Sequence, residues 1–211
     1  MESVGLTMKL KEKSFRELNQ QYIYLTVPEL AAQLAAFFVA EQATGVLCYC
    51  YLEHEQGLQF EVLCCARFDA EEHSLKLFSG NPAQSVTLPY ASVSEAEAAV
   101  LPANLPRLAE FQSKVEAVQS RSHVTADIEK TRQLTALDHL RSAARPDEVA
   151  VRLVHGESVE EVTVRLEGVN EMQLYGKLVS EPQSDFGVHA GDSLSFYLVK
   201  NAQGIMCLAL V

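Results

Sequence analysis

Asp185, His189 and Asp192 bring two carboxylates and an imidazole within eight residues, and Glu181 stands just upstream. Imidazole titrates near neutral pH and a neighbouring carboxylate can orient it. Such a set could move a proton in the hydrolysis of a small molecule or capture a metal ion weakly. A plainer reading competes with this one. Aspartate and glycine build turns, and one short loop supplies no further groups to hold the first ones in place. Glu181, Asp185, His189 and Asp192 are therefore candidate binding residues, and no catalytic residue is assigned.

Sulfur forms the second set. Cys48 and Cys50 alternate along one apolar run, and if Leu52 pairs with Leu58 across the following turn, Cys64 falls diagonal to Cys48 on the same face. Three converging thiols could bind zinc or answer an oxidant. Structural zinc favours Cys-x-x-Cys knuckles in loops, which do not occur here, so buried cysteine acting as a small apolar group is the expectation. His54 and His73 lie in turns beyond these strands. All five cysteines sit in apolar runs rather than turns, which reads as reduced thiols in a reducing compartment.

Other matches carry less. Asp185-Phe-Gly187 spells the metal-binding triplet of protein kinases, without the glycine-rich loop and catalytic Asp/Asn loop that chemistry needs. His123 and His139 are 16 positions apart, too far for one ligand pair on a helix. Tyr49 and Tyr51 alternate with the cysteines and are expected to pack on a helix or a partner. No phosphate-binding glycine loop, Gly-x-Ser-x-Gly elbow or His-Glu-x-x-His pair occurs. No metal and no cofactor is assigned, and the balance leans against an enzyme.

The elements that must position these groups follow from periodicity. Phe15, Leu18 and Tyr22 have helical spacing in a polar segment. Thr26-Val-Pro-Glu29 reads as a capping box opening a helix from about Val27 to Ala43, with a stripe at Leu30, Leu34, Phe37 and Phe38 and Gly45 as its left-handed end. Residues 46–52 and 58–68 read as two strands around a turn, with Leu58, Phe60, Val62 and Cys64 on one face of the second; Leu75 and Leu77 mark a third, and 85–88 a fourth, an antiparallel meander under the Leu30 to Phe38 stripe. Ser94-Glu-Ala-Glu97 reads as a second capping box ahead of a brief helix that Pro102 stops.

Leu105, Leu108, Phe111, Val115 and Val118 recur every three or four positions and, after a polar interval from Gln119 to His123, Val124, Ile128, Leu134, Leu137 and Leu140 continue the helical pattern. No glycine or proline stands between Arg107 and Arg145, giving two helices with a Thr125 cap or one bent helix. Beyond Asp147, strands are expected at Val149 to Leu153, Val162 to Leu166, Met172 to Leu178 and Ser193 to Val199, with Gly168-Val-Asn170 as a turn. The last run, Ile205 to Val211, is apolar throughout and is expected to be central and covered on both faces.

The fold class is thus α+β: an N-terminal helix plus antiparallel meander in residues 1–104, a helical connector in 105–146, and an antiparallel β-domain of about five strands in 147–211. The C-terminal part carries Tyr175-Gly176-Lys-Leu-Val-Ser-Glu181-Pro182 followed by Gly191-Asp192-Ser-Leu-Ser-Phe196. In this it resembles a group of small uncharacterised bacterial proteins, classed only as a domain of unknown function. There a strand passes through a small residue into a Glu-Pro step and a Gly-Asp pair launches the next strand. The resemblance spans some 55 residues and implies a bacterial origin and a β-rich domain, with no activity to carry over.

Charge narrows the partners. Seventeen basic and 28 acidic residues give −11, with −6 from Asp147 onward and −5 before it, so neither half is a basic domain. Such a field repels phosphate backbones and anionic membranes, which argues against nucleic acid. No apolar run approaches the length of a membrane span and no segment reads as a secretory leader, so a cytoplasmic location is expected. The leading expectation is a non-enzymatic interaction module, adaptor or immunity-type, for a protein with a basic face, its oligomeric state left open. The alternative is a small-molecule hydrolase using the loop from Glu181 to Asp192.

Overall fold

An unbroken apolar run before the turn at Gly57, whose φ of 82° suits glycine, pairs with a largely apolar run after it as a long hairpin buried on both faces. Around it the computed structural model describes residues 8–34, 37–38, 42–69, 74–81, 83–171, 173–202 and 204–211. The fold is α+β, mostly β, and the chain divides into two compact units, Met1–His123 and Val124–Val211. None of the described helices is long and apolar enough to cross a membrane.

The first unit contains β1 (Met8–Lys9), α1 (Phe15–Leu18), β2 (Tyr22–Thr26), α2 (Pro28–Gln33), β3 (Gly45–Glu53) and β4 (Gly57–Asp69). After them come β5 (Ser74–Leu77), β6 (Thr87–Pro89), α3 (Tyr90–Val93), β7 (Glu97–Leu101) and α4 (Gln112–Arg121). The sheet runs β1-β7-β2-β3-β4-β5, with β6 also on β4, and its pairings are antiparallel. On one face Tyr24, Leu47, Tyr49 and Leu63 meet Leu108, Phe111, Val115 and Val118, so α4 and the 3-10 turn before it provide the cover.

Several local expectations are corrected. Residues 27–43 do not form one helix: α2 ends at Gln33, and residues 37 and 38 lie in a turn and a bend, while 35, 36 and 39–41 fall outside the described residues. Val27 rather than Thr26 is the N-cap, with no side-chain cap, although Pro28 starts the helix as its fixed φ favours. Gly45 opens β3, where a Cβ would sit 2.0 Å from the Leu25 carbonyl oxygen; the glycine serves close strand approach. Ser94 follows α3, and the segment expected to be helical from there is β7, whose Ala98, Ala99 and Leu101 are buried. Tyr22 begins β2 rather than ending a helix.

The second unit contains α5 (Ala126–Gln133), a 3-10 turn at Thr135–Leu140, then β8 (Glu148–His155), β9 (Ser158–Asn170), β10 (Gln173–Leu178), β11 (Ser193–Asn201) and β12 (Gly204–Leu210). The two-helix alternative holds, with the Ile128 amide donating to Thr125 Oγ1 at 3.4 Å. The helical residues set apart as a connector are shared: 105–123 lie in the first unit and 124–146 in the second. The strands close into a barrel, β10-β11-β12-β8-β9. Five consecutive antiparallel strands alternate in direction, so the first and fifth run the same way. The closing pair β12–β8 is accordingly parallel and the other four are antiparallel.

Closure removes free edges, and inward residues such as Val151, Leu153, Val164, Leu166, Phe196 and Ala209 fill the interior. β12 is paired on both sides but not covered on both faces, since Leu210 is 75% exposed while Cys207 and Ala209 point in. Gly168 is not a turn either. It lies within β9, where the Tyr175 ring crosses it and a Cβ would come within 2.2 Å of Tyr175 Oη. Met172 falls outside the described residues.

Candidate functional site

The loop from Val179 to Asp192 joins β10 to β11, and its neck is closed by two backbone bonds. The Gly191 amide donates to the Leu178 carbonyl at 2.7 Å, and the Leu178 amide to the Asp192 carbonyl at 2.9 Å. Gly187 and Gly191 take φ of 70° and 93°, which explains glycine at both positions. Phe186 turns inward and joins the barrel core.

The four candidate residues are brought together, and the chain's own backbone uses their carboxylates. Glu181 Oε2 accepts from the Ala190 amide and Oε1 from His189 Nδ1, both at 2.8 Å. Asp192 Oδ2 accepts from the His189 amide at 2.8 Å, and Asp185 Oδ1 from the Gly187 amide at 3.0 Å. From outside the loop, Glu160 accepts from the Gln183 and Ser184 amides at 2.7 and 3.1 Å, tying it to the start of β9. The Ala190 amide and then His189 hold the Glu181 carboxyl below its ordinary pKa. The hydrogen bond and charge of Glu181, aided by Asp192 and Asp185, raise that of His189.

The thiols separate. Leu52 does pair with Leu58, but a bulge between Leu47 and Cys48 shifts the register, so Cys64 opposes Leu47. Cys64 thereby joins the Tyr49 face beneath α4, away from the Cys48 and Cys50 face. All five thiols are buried. Burial pushes Cys64 and Cys207 up to about 12 and Cys48 and Cys50 well above the ordinary thiol value, which leaves no thiolate at neutral pH. Among the described residues no group of three or more His, Cys, Asp or Glu could hold a metal ion. Tyr49 and Tyr51 face α4, where Gln119 Nε2 donates to Tyr49 Oη at 2.7 Å and an Arg121 Nη to Tyr51 Oη at 3.0 Å. His139 Nε2 lies 2.8 Å from the Ile205 carbonyl oxygen.

One cluster was not among the sequence candidates. Glu61, with its side chain 1% exposed, lies on the α4 side of β4, 3.2 Å from Lys114 Nζ and 2.8 Å from Arg121, and accepts from Ser85 and Thr87. Lys114 Nζ also donates to the Val62 and Gln84 carbonyls at 2.7 Å each, so its donors are engaged and it offers no nucleophile. Only the charged residue at an otherwise apolar strand position could have hinted at it, since its partners lie 24 to 60 residues away. The cleft beside Lys114, lined by Leu63, Gly80, Glu110 and Phe111, measures about 190 Å³. That is below the roughly 300 Å³ at which ligand pockets begin. In the second unit Asp147 is likewise buried, in a two-point pairing with Arg132 at 2.7 and 3.0 Å.

Among the described residues, Glu61, Asp147 and Glu148 are thus buried carboxylates held by cations, and the carboxylates of the surface loop are committed to shape. Compared with protein-family models, curated proteins and solved structures, the chain finds no match.

Proposed function

We propose that the chain is a non-enzymatic protein-interaction module of the bacterial cytoplasm, adaptor or immunity-type, which presents the acidic end of its barrel to a protein with a basic face. The observation that carries this reading is the commitment of the loop carboxylates to backbone amides while Phe186 anchors the loop from within. A loop held in this way keeps its charges in fixed positions, so little conformational freedom is lost on binding. Glu160 joins the start of β9 to the loop, and Glu157 and Glu161 flank it in sequence; with Glu181, Asp185 and Asp192 this end carries six carboxylates. Steering and specificity would come from this field, and binding would weaken as salt is raised.

The test is affinity capture from a bacterial lysate with the natural chain and with a Glu157→Gln/Asp185→Asn variant, at low and raised salt. The expected result is a basic protein retained by the natural chain, lost in the variant and released by salt. Capture of nothing, or of the same proteins by both, contradicts the reading. A second reading, hydrolysis of a small molecule, draws on the Glu181–His189 pair, because a carboxylate on Nδ1 is the orienting half of an acid–base couple. Turnover of a generic ester or phosphate that His189→Ala abolishes would favour it.

A further inference from the structure

We propose that the segment from Ser79 to Thr87 is a strap that closes over Leu63 and Phe111, is latched by Glu61 and Lys114, and opens as a unit while the β3–β4 hairpin beneath it stays paired. It belongs to the first unit alone, and the inference does not rest on the barrel loop. Both ends of the segment are fixed, since Leu77 on β5 and Leu88 on β6 are buried. Between them none of the described residues is buried. A segment with so little apolar burial is held by its hydrogen bonds, and opening it costs far less than unfolding the sheet.

Those bonds converge on two charged side chains. Ser85 Oγ donates to Glu61 Oε1 at 2.8 Å and Thr87 Oγ1 to Glu61 Oε2 at 2.9 Å, while Lys114 Nζ donates to the Gln84 carbonyl at 2.7 Å. The Val62 amide of β4 adds a bond to the Val86 carbonyl at 2.8 Å, and Asn81 Nδ2 one to the Phe37 carbonyl at 3.1 Å. Opening strands neither charge: Glu61 keeps Arg121 and Lys114, and Lys114 keeps the Val62 carbonyl. The near end of the strap is seated by the lack of a side chain. A Cβ on Gly80 would stand 2.7 Å from both the Leu63 carbonyl oxygen and Phe111 Cε1, so glycine is what lets the strap lie flush there. Asn81 moves with the rest, because its Oδ1 and carbonyl oxygen accept from the Ala83 and Gln84 amides at 3.1 Å each. Ser79, Gly80 and Asn81 form one wall of the cleft beside Lys114. The closed strap therefore keeps that cleft at about 190 Å³, and opening widens it.

Amide hydrogen exchange on the full chain is the test, with Val62 reporting the strap and Cys50, whose amide donates to the Gln21 carbonyl at 2.9 Å, reporting the sheet. The expected result for the natural chain is faster exchange at Val62 than at Cys50. Ser85→Ala/Thr87→Val removes both hydroxyls from Glu61 at exposed positions and should speed Val62 on the order of tenfold relative to Cys50. Gly80→Ala should act in the same direction with the latch intact, by propping the strap away from Leu63 and Phe111. Dividing by the Cys50 rate in each protein removes any general loss of stability. Exchange of Val62 in step with Cys50 in the natural chain, or a ratio unchanged by both variants, overturns the inference.

Discussion

At the scale of single residues, the ionisable side chains of this protein divide by burial. Glu61 has left water, and burial alone pushes its pKa up. Hydrogen bonds from Ser85, Arg121 and Thr87 and the charge of Lys114 outweigh that and hold it below the ordinary carboxylate value. A lowered folded pKa means that the stabilisation is present above the unfolded value, roughly 4.3, and is lost as pH falls through the folded one. Glu61→Ala strands Lys114 and should cost about 3 kcal/mol in urea unfolding at neutral pH, with a weaker loss of stability in acid than the natural chain shows. Cost within experimental error would show that the cluster contributes nothing. His189 is exposed and its pairing with Glu181 is worth little, but its proton reports the contact. Its raised pKa means that the pairing is present below the ordinary histidine value and fades as pH rises through the folded one. Titration by NMR should therefore place His189 above an ordinary histidine, and Glu181→Gln should return it toward that value.

At the scale of elements, local signals were legible and long-range ones were not. The hairpin around Gly57 and the strands at Val162 to Leu166 and Ser193 to Val199 appear as read, because each depends on neighbouring residues alone. Thr125 capped its helix for the same reason. By contrast β2 and β7 pair with each other across more than 70 residues, and Glu-Ala-Ala-Val-Leu has too little β preference to announce a strand by itself. The bulge at Leu47 left no mark in the sequence, yet it moved Cys64 to the other face and undid the expected trio of thiols. The candidate loop was legible as a cluster. That its carboxylates would serve backbone amides was not, since their spacing from those amides is set only once the neck at Leu178 closes. Gly176 tests the barrel pairings: a bulge precedes it, and a Cβ would lie 2.0 Å from the Arg165 carbonyl oxygen. Gly176→Ala should destabilise the second unit by at least about 2 kcal/mol in thermal or urea unfolding, a clash that a flexible side chain could have avoided but a backbone oxygen cannot.

At the scale of the whole molecule, each unit encloses its own apolar cluster, and the second closes its sheet completely. Closure makes β12 indispensable although its outer face is bare. Deleting residues 205–211 would free the facing edges of β8 and β11 and should leave aggregated protein, whereas a soluble, cooperatively melting product would show that the barrel survives open. The central claim is that the loop after β10 is a held surface, its ionisable groups spent on shape. Amide hydrogen exchange measures this most directly. The account predicts that the amides of Gln183, Ser184, His189 and Ala190, each bonded to a carboxylate, exchange as slowly as those of the adjoining strand β10. Exchange of these four at the rate of an unstructured chain would contradict it.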